Sequence, residues 1–375
     1  MIPRLGRRSG VSLPGKKASR HKFSSGIAST RNRLITTEAI GMAGKFQGKP
    51  IGFLICLISF IFLSCGISFA VSQNPPISRS PIYSGFKEID QAKNQFLIVG
   101  DTQRTSYWEF WREKNDHERK LIIDEIARRD PAFVLHLGDL TARGSSEQQW
   151  REFDELHKQF FEKKIPYFPI LGNHDLYGND RKALRNYFDR FPHLQEKRWY
   201  SFVWKSIAMI LVDSNFSSLT EEEKKKQEQW YSGELQSLEE DRSISHIIVC
   251  CHESPFTNSR VVRPNSKVKT SFADPFLGFR KTRFFLSGHS HSYERFQIGD
   301  KFFVVSGGGG GPRHKVFTDP RRIRYTDSFQ GPELRFFHFC DIDLLVGTFA
   351  LKVLRLEPNG TFFTADLLSS GEALK

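Results

Sequence analysis

Five short stretches carry side chains that bind metal ions: Asp101-Thr102-Gln103, Gly138-Asp139, Gly172-Asn173-His174-Asp175, His252 and Gly288-His289-Ser290-His291. Carboxylate and amide oxygens suit harder cations and imidazole suits Zn or Fe, so a pocket mixing them accepts Fe, Mn, Zn or Mg. Each stretch alone is uninformative, since a lone Gly-Asp is ordinarily a turn and a lone buried histidine is ordinarily a satisfied core residue. Five of them, each closing an apolar run, point to one shared site.

Those runs are 96–100, 133–139, 167–173, 207–213, 246–252, 282–289 and 302–308, each short and apolar enough for a buried strand. Amphipathic stretches around 108–129, 145–163 and 220–239 read as helices, the last opening with a cap and an acidic first turn. Strands alternating with helices indicate an α/β domain, in which functional groups gather beyond the carboxyl ends of the strands. The later segments 334–341, 348–356 and 361–367 read as strands completing a second sheet.

In this order the stretches resemble the calcineurin-like metallophosphoesterase superfamily, whose pattern is D-x-H, GD, GNHD or GNHE, H and GHxH. The resemblance covers roughly 95–310, and Gly288-His-Ser-His-Ser-Tyr-Glu-Arg295 is similar to the purple acid phosphatase form. Val212-Asp213-Ser214-Asn215, Gln229-Trp230 and Ser306 with Gly307 to Gly310 look like further landmarks. The superfamily also includes cyclic-nucleotide phosphodiesterases. The resemblance implies a four-layer α/β/β/α sandwich with a dinuclear metal centre at the carboxyl edge of the strands. One metal would be held by Asp101, Gln103, Asp139 and His291, the other by Asp139, Asn173, His252 and His289, with Asp139 bridging.

The implied activity is hydrolysis of phosphate mono- or diesters, a metal-bridging hydroxide attacking phosphorus in line. His174 would assist the leaving group and Asp175 would hydrogen-bond and orient it. Two departures qualify the transfer. Gln103 stands where histidine is usual, and Ala142 stands where purple acid phosphatases carry a tyrosinate. Gly138-Asp-Leu-Thr-Ala-Arg-Gly144 also departs from the GDYVDRG of the superfamily's protein phosphatases. Arg104, Asn258, Arg260 and Arg263 follow ligand-bearing strands and are candidates for substrate contact. The glycine run 307–311 has two readings, an anion cradle or a tight passage between strands. The rival function is a non-catalytic binding or scaffolding member of the same fold; metal stoichiometry separates the two.

Charge implies no basic nucleic-acid surface on the body of the chain. Residues 1–50 hold eleven Lys or Arg against one acid, Glu38, so most of the +13 net charge sits there. The small phosphorylated substrate is therefore the partner expected, with no nucleic acid. Five cysteines give neither a disulfide framework nor a CxxC zinc site, and Cys250 and Cys251 read as buried thiols. The 35 phenylalanines read as core and inter-sheet packing.

Residues 51–71 form a charge-free apolar run preceded by the basic segment Met42 to Pro50. This reads as a signal sequence, a lipoprotein leader or a membrane anchor, and as export to a secreted, periplasmic or membrane-anchored location. Phe62-Leu63-Ser64-Cys65-Gly66 resembles a bacterial lipobox with Cys65 as the lipidated residue, and Ser68-Phe69-Ala70 offers an ordinary cleavage site. The basic stretch upstream of Met42 reads as untranslated or disordered sequence, or as a transit peptide in a eukaryotic source. Residues 72–94 read as a linker and 95–375 as the phosphoesterase domain.

Overall fold

The computed structural model describes residues 80–371, except 107, 108, 110, 346 and 347. The leader, the lipobox and the basic upstream segment lie outside the described residues. Among the described residues no helix is long and apolar enough to cross a membrane.

Among the described residues, twelve strands form two six-stranded sheets. The first is ordered β12-β11-β10-β1-β2-β3, with β1 Gln95–Val99, β2 Val134–His136, β3 Tyr167–Pro169, β10 His338–Leu345, β11 Thr348–Leu356 and β12 Phe362–Ser369. The second is ordered β4-β5-β6-β7-β9-β8, with β4 Tyr200–Trp204, β5 Ile207–Leu211, β6 His246–Cys251, β7 Thr282–Ser287, β8 Tyr293–Ile298 and β9 Lys301–Ser306. Strands β1, β2 and β3 run parallel, as do β5, β6, β7 and β9. Parallel strands end on one side, which brings the five ligand-bearing turns to one edge.

Alternation along the strands shows why two helical layers cover the sheets. Ile207, Met209 and Leu211 of β5 join the large core shared with Phe96, Phe133 and Trp204. The intervening Ala208, Ile210 and Val212 join a second core against Tyr231, Leu235 and Leu238. Those three belong to α5, Glu221–Glu240. A strand apolar on both faces must be buried on both, against the other sheet and against a helix. Helix α1, Asp116–Arg129, buries Ile122, Ile123 and Ile126 against the first sheet. The order is the α/β/β/α expected from the resemblance. Truncating a buried leucine such as Leu235 to alanine removes about 2–5 kcal/mol.

Helix α5 begins as its sequence suggests: Thr220 Oγ1 accepts from Glu223 N, and Glu223 Oε2 accepts from Thr220 N. Helices α2, Glu147–Leu156, and α3, Lys158–Glu162, divide the stretch read as one, and α4, Asp180–Arg190, was not expected.

Two further expectations are corrected. Strands β10 to β12 do not complete the second sheet; β10 pairs antiparallel with β1 and extends the first. Nor is 80–94 all linker: Tyr83 is buried among Phe153, Tyr167 and Phe191, and Ser84 O accepts from Tyr167 N.

Candidate metal centre

The turns after β1, β2 and β7 place Asp101, Asp139 and His289 with positive φ, 59°, 57° and 65°. Left-handed backbone is costly for residues with a Cβ and persists where the surroundings enforce it, commonly at functional sites. Here Asp101 N donates to Gly138 O at 3.0 Å and His289 N donates to the Asp101 carboxylate at 3.0 Å, so each turn fixes the next. Close approach also requires glycine. A Cβ on Gly172 would lie 2.1 Å from Asp139 Oδ1, and one on Gly138 would lie 2.7 Å from His252 Nδ1.

Two clusters share Asp139. In one, single ligand atoms of Asp139, His252 and His289 lie within 4.8 Å of one another; in the other, those of Asp101, Asp139 and His291 do. His252 Nδ1 donates to Leu137 O at 2.8 Å, which turns Nε2 toward Asn173 Oδ1 at 3.1 Å, His289 Nδ1 at 3.2 Å and Asp139 Oδ1 at 3.4 Å. Similarly, His291 Nδ1 donates to Pro312 O at 2.8 Å and its Nε2 faces Asp101 Oδ1 at 3.4 Å. A carbonyl anchor on one ring nitrogen, leaving the other to face carboxylates, is how proteins orient imidazole toward a metal.

The electrostatics match a cation site. Burial works to lower the His252 pKa, but the Asp139 carboxylate more than offsets it and holds the ring up to about 10. The same negative charge that keeps a proton on His252 would hold a metal cation. Burial, then the charge of His252, pushes His289 down to about 3, leaving it the neutral imidazole that ligation needs. Around His252 Nε2 three acceptors converge, more than one proton can serve.

Gln103 supplies an independent test of fit. Its Nε2 lies 3.1 Å from both Asp139 Oδ2 and His291 Nε2, while its buried Oε1 has no hydrogen-bond partner. A half-turn of the amide exchanges the two atoms and directs the orphaned oxygen at the cluster. The donor set therefore fits cations shared through Asp139.

Asp175 departs from its expected role. It is fully buried, and its two oxygens accept from the backbone N–H groups of Asp139, Gly172, Leu140 and Thr141 at 2.9–3.1 Å. Burial, followed by the Asp139 charge, pushes this carboxyl up to about 7, while the amides of Gly172 and Thr141 pull it down. The His174 ring instead rests on Ala142 O, 3.0 Å from its Nδ1. Asp175 thus shapes the turns that present Asp139 and does not orient His174.

A cavity of about 660 Å³ opens beside the clusters, lined by Gln103, His174 and His291 together with Arg104, Arg112, Lys114, Arg143 and Tyr177. Arg104 lines it, paired with Asp116 at 3.1 Å and Glu152 at 3.6 Å. Asn258 and Arg260 do not. The Asn258 amide is spent on the backbone of Arg324 and Tyr325, and Arg260 pairs with Glu333 at 3.0 Å. Exposed Arg263 is also absent from the lining.

Arg112, Lys114, Arg143 and Tyr177 escaped the sequence reading. Arg143, whose guanidinium lies over the Tyr177 ring at 5.4 Å, stands inside Gly138–Gly144 and was the one with a motif to find it. The N–H groups of Gly307, Gly309 and Gly311 donate to Ser292, Gly100 and Asp101 carbonyls, so this run is the tight passage. Cys250, Cys251 and Cys340 are free and buried.

Comparison with known proteins agrees with this geometry. A family model described as calcineurin-like phosphoesterase matches residues 95–293, more than half of the 375-residue chain. Purple acid phosphatase 1 of Ipomoea batatas is 25% identical over 179 residues, 43% of this chain and 36% of that protein. The uncharacterized protein YvnB of Bacillus subtilis (strain 168) is 29% identical over 108 residues, 28% of this chain and 8% of that protein. These matches thus span well under half of either relative's length.

Among solved structures, the purple acid phosphatase PPD1 from yellow lupin (Lupinus luteus) seeds has a TM-score of 0.56 at 18% identity, covering 74% of this chain and 53% of that one. GAP50, the anchor in the inner membrane complex of Plasmodium, has a TM-score of 0.51 at 17% identity, covering 70% and 84%. Both are likenesses of fold. With the family model spanning every ligand-bearing turn, this chain belongs to the calcineurin-like phosphoesterase family.

Proposed function

We propose that the chain hydrolyses phosphate esters of small molecules at a pair of metal cations. The observation that carries this reading is the Asp139 carboxylate shared by two ligand clusters. Asp101, Asp139, His291 and the amide oxygen of Gln103 would hold one ion; Asp139, Asn173, His252 and His289 would hold the other. Such ions, when bound, lower the pKa of water for in-line attack and neutralise the phosphoryl oxygens.

The chain's own residues position the substrate around them. His174, fixed through Nδ1 on Ala142 O, in its protonated form offers Nε2–H to the cavity it lines, where it donates to the leaving oxygen. Lys114 and Arg143, without ion pairs among the described residues, supply positive charge on the same walls. Export through residues 51–71 belongs to the same proposal and is read from the mass of the mature amino terminus.

Metal-loaded protein is assayed with an aryl phosphate and an aryl phosphodiester alongside metal analysis. Turnover that needs the metal supports the enzyme. Metal uptake without turnover of either ester supports the non-catalytic alternative.

A further inference from the structure

Among the described residues, Tyr177 is the one exposed large apolar side chain that lines the cavity beside the clusters. It is 61% exposed, on walls built mainly from charged and polar groups. An apolar ring left open at a concave polar site is surface that a ligand can cover.

The backbone beneath the ring is fixed. Tyr177 N donates to His174 O at 3.0 Å, Tyr177 O accepts from Ser145 N at 3.3 Å, and Gly144 N donates to His174 O at 2.9 Å. These bonds clip the loop after β2 to the 3-10 turn His174–Leu176. The clip requires glycine beside the ring: Gly178 has φ 107°, and a Cβ there would lie 2.0 Å from Ser145 Oγ. The side chain is held as well. The Arg143 guanidinium lies over the Tyr177 ring at 5.4 Å, and its Nε lies 3.5 Å from Ser145 Oγ. A cation over one face is attracted to the π electrons and steadies the ring. It covers that face alone, and the exposure of Tyr177 leaves the rest of the ring open.

Position gives this open surface a role. The His174 and Tyr177 rings have centroids 6.3 Å apart, tilted by 54°. His174 donates to the leaving oxygen in the phosphoesterase reading, so the leaving group lies along the wall that Tyr177 and Arg143 share. Aromatic pairs form at centroid separations of about 4.5–7 Å. A ring bonded to the leaving oxygen, directly or through one carbon, comes within that range of Tyr177.

We propose that Tyr177 is the stacking surface for the leaving group, and that the preferred substrates are phosphate esters whose alcohol carries an aromatic ring close to the ester oxygen. The inference rests on the phosphoesterase reading and deepens it by naming the class of alcohol released. Tyr177 here selects the substrate and takes no part in the proton transfer.

The test compares benzyl phosphate with cyclohexylmethyl phosphate on metal-loaded protein. Both release a primary alcohol of similar size, so the contrast reads the flat π surface of the ring. The benzyl ester is expected to show a kcat/KM about tenfold higher, mostly through KM. Tyr177→Leu should bring the ratio to about one, and Tyr177→Phe should keep it. A Tyr177 that merely supports the His174 turn would instead lower kcat for both esters alike in Tyr177→Leu and leave their ratio unchanged. That result, or equal kcat/KM for the two esters in the parent protein, overturns the stacking surface. If neither ester nor an aryl phosphate turns over, the phosphoesterase reading has failed, and the surface is judged by calorimetry with benzylphosphonate and cyclohexylmethylphosphonate. Tighter binding of the aromatic phosphonate that Tyr177→Leu abolishes supports it, and equal affinities overturn it.

Discussion

The backbone N–H of His174 donates to Asp139 Oδ1 at 2.9 Å, tying the carboxylate common to both clusters to the residue that faces the cavity. Ligand and substrate-facing side chains thus move as one unit, and substitutions that displace Asp139 should affect turnover as well as metal binding.

Gly172→Ala is the sharpest such substitution. Its Cβ would stand 2.1 Å from Asp139 Oδ1 and 2.2 Å from Asp139 N, so carboxylate or backbone must shift. Metal affinity should fall about 10–100-fold, the usual cost of disturbing what supports a ligand. Calorimetric titration checks this, and unaltered affinity would show that Asp139 has no metal to hold.

Asp175→Asn separates a structural role from a catalytic one. An amide NH2 cannot accept, so two of the four backbone donors lose their partner, at about 1–3 kcal/mol each. Urea unfolding should show that loss, while the pH profile of any remaining turnover keeps its shape because Asp175 does not hold the His174 ring. A shifted profile with full stability would restore the His174–Asp175 pair.

Gln103→Ala tests the orphaned Oε1. If that oxygen is a ligand, binding at the Asp101–Asp139–His291 cluster weakens about 10–100-fold and the other cluster is spared. Two-step metal titration resolves the two events. A change in stability alone, with both binding steps intact, assigns Gln103 to packing.

Acid should destabilise the metal-free fold through buried histidines outside the ligand set. Burial lowers His136 to about 3 and His193 and His338 to about 4, and it lowers His157 as well. Unfolding frees these rings to protonate near 6.5, so their contribution is present above that pH and is lost as pH falls toward 4. Each contributes up to about 1.4 kcal/mol per pH unit in that window. Asp175 and Glu294 oppose them: burial raises them to about 7 and about 6, so their contribution grows as pH falls below those values, and burial raises Asp154, Asp327 and Asp341 in the same sense. The four histidine rings are the larger effect between pH 6.5 and 5, where denaturant midpoints should drop. A flat profile there would contradict the neutral buried state of the rings.

The ligand-bearing strands were legible because each is a short apolar run closed by a polar turn, a pattern local to the chain. Sheet membership was not, because β10 finds β1 across more than two hundred residues and nothing in its own sequence names that partner. Strands β4 and β8 were missed since their outward faces are mixed and half-exposed. Chain adjacency misled at Asp175: a 3-10 turn over His174–Leu176 sends neighbouring side chains opposite ways, His174 to the cavity and Asp175 into the backbone amides. Asn258 likewise follows a ligand strand, but its amide turns onto the backbone of Arg324 and Tyr325, a segment far along the chain.

The most direct test is diffraction at the absorption edge of a bound transition metal, on crystals of the parent protein and of Asp139→Asn. Two anomalous peaks flanking the Asp139 carboxylate, both diminished in Asp139→Asn, are the expected result. A single peak, or two peaks unchanged when the carboxylate is removed, would mean that Asp139 does not join two cations.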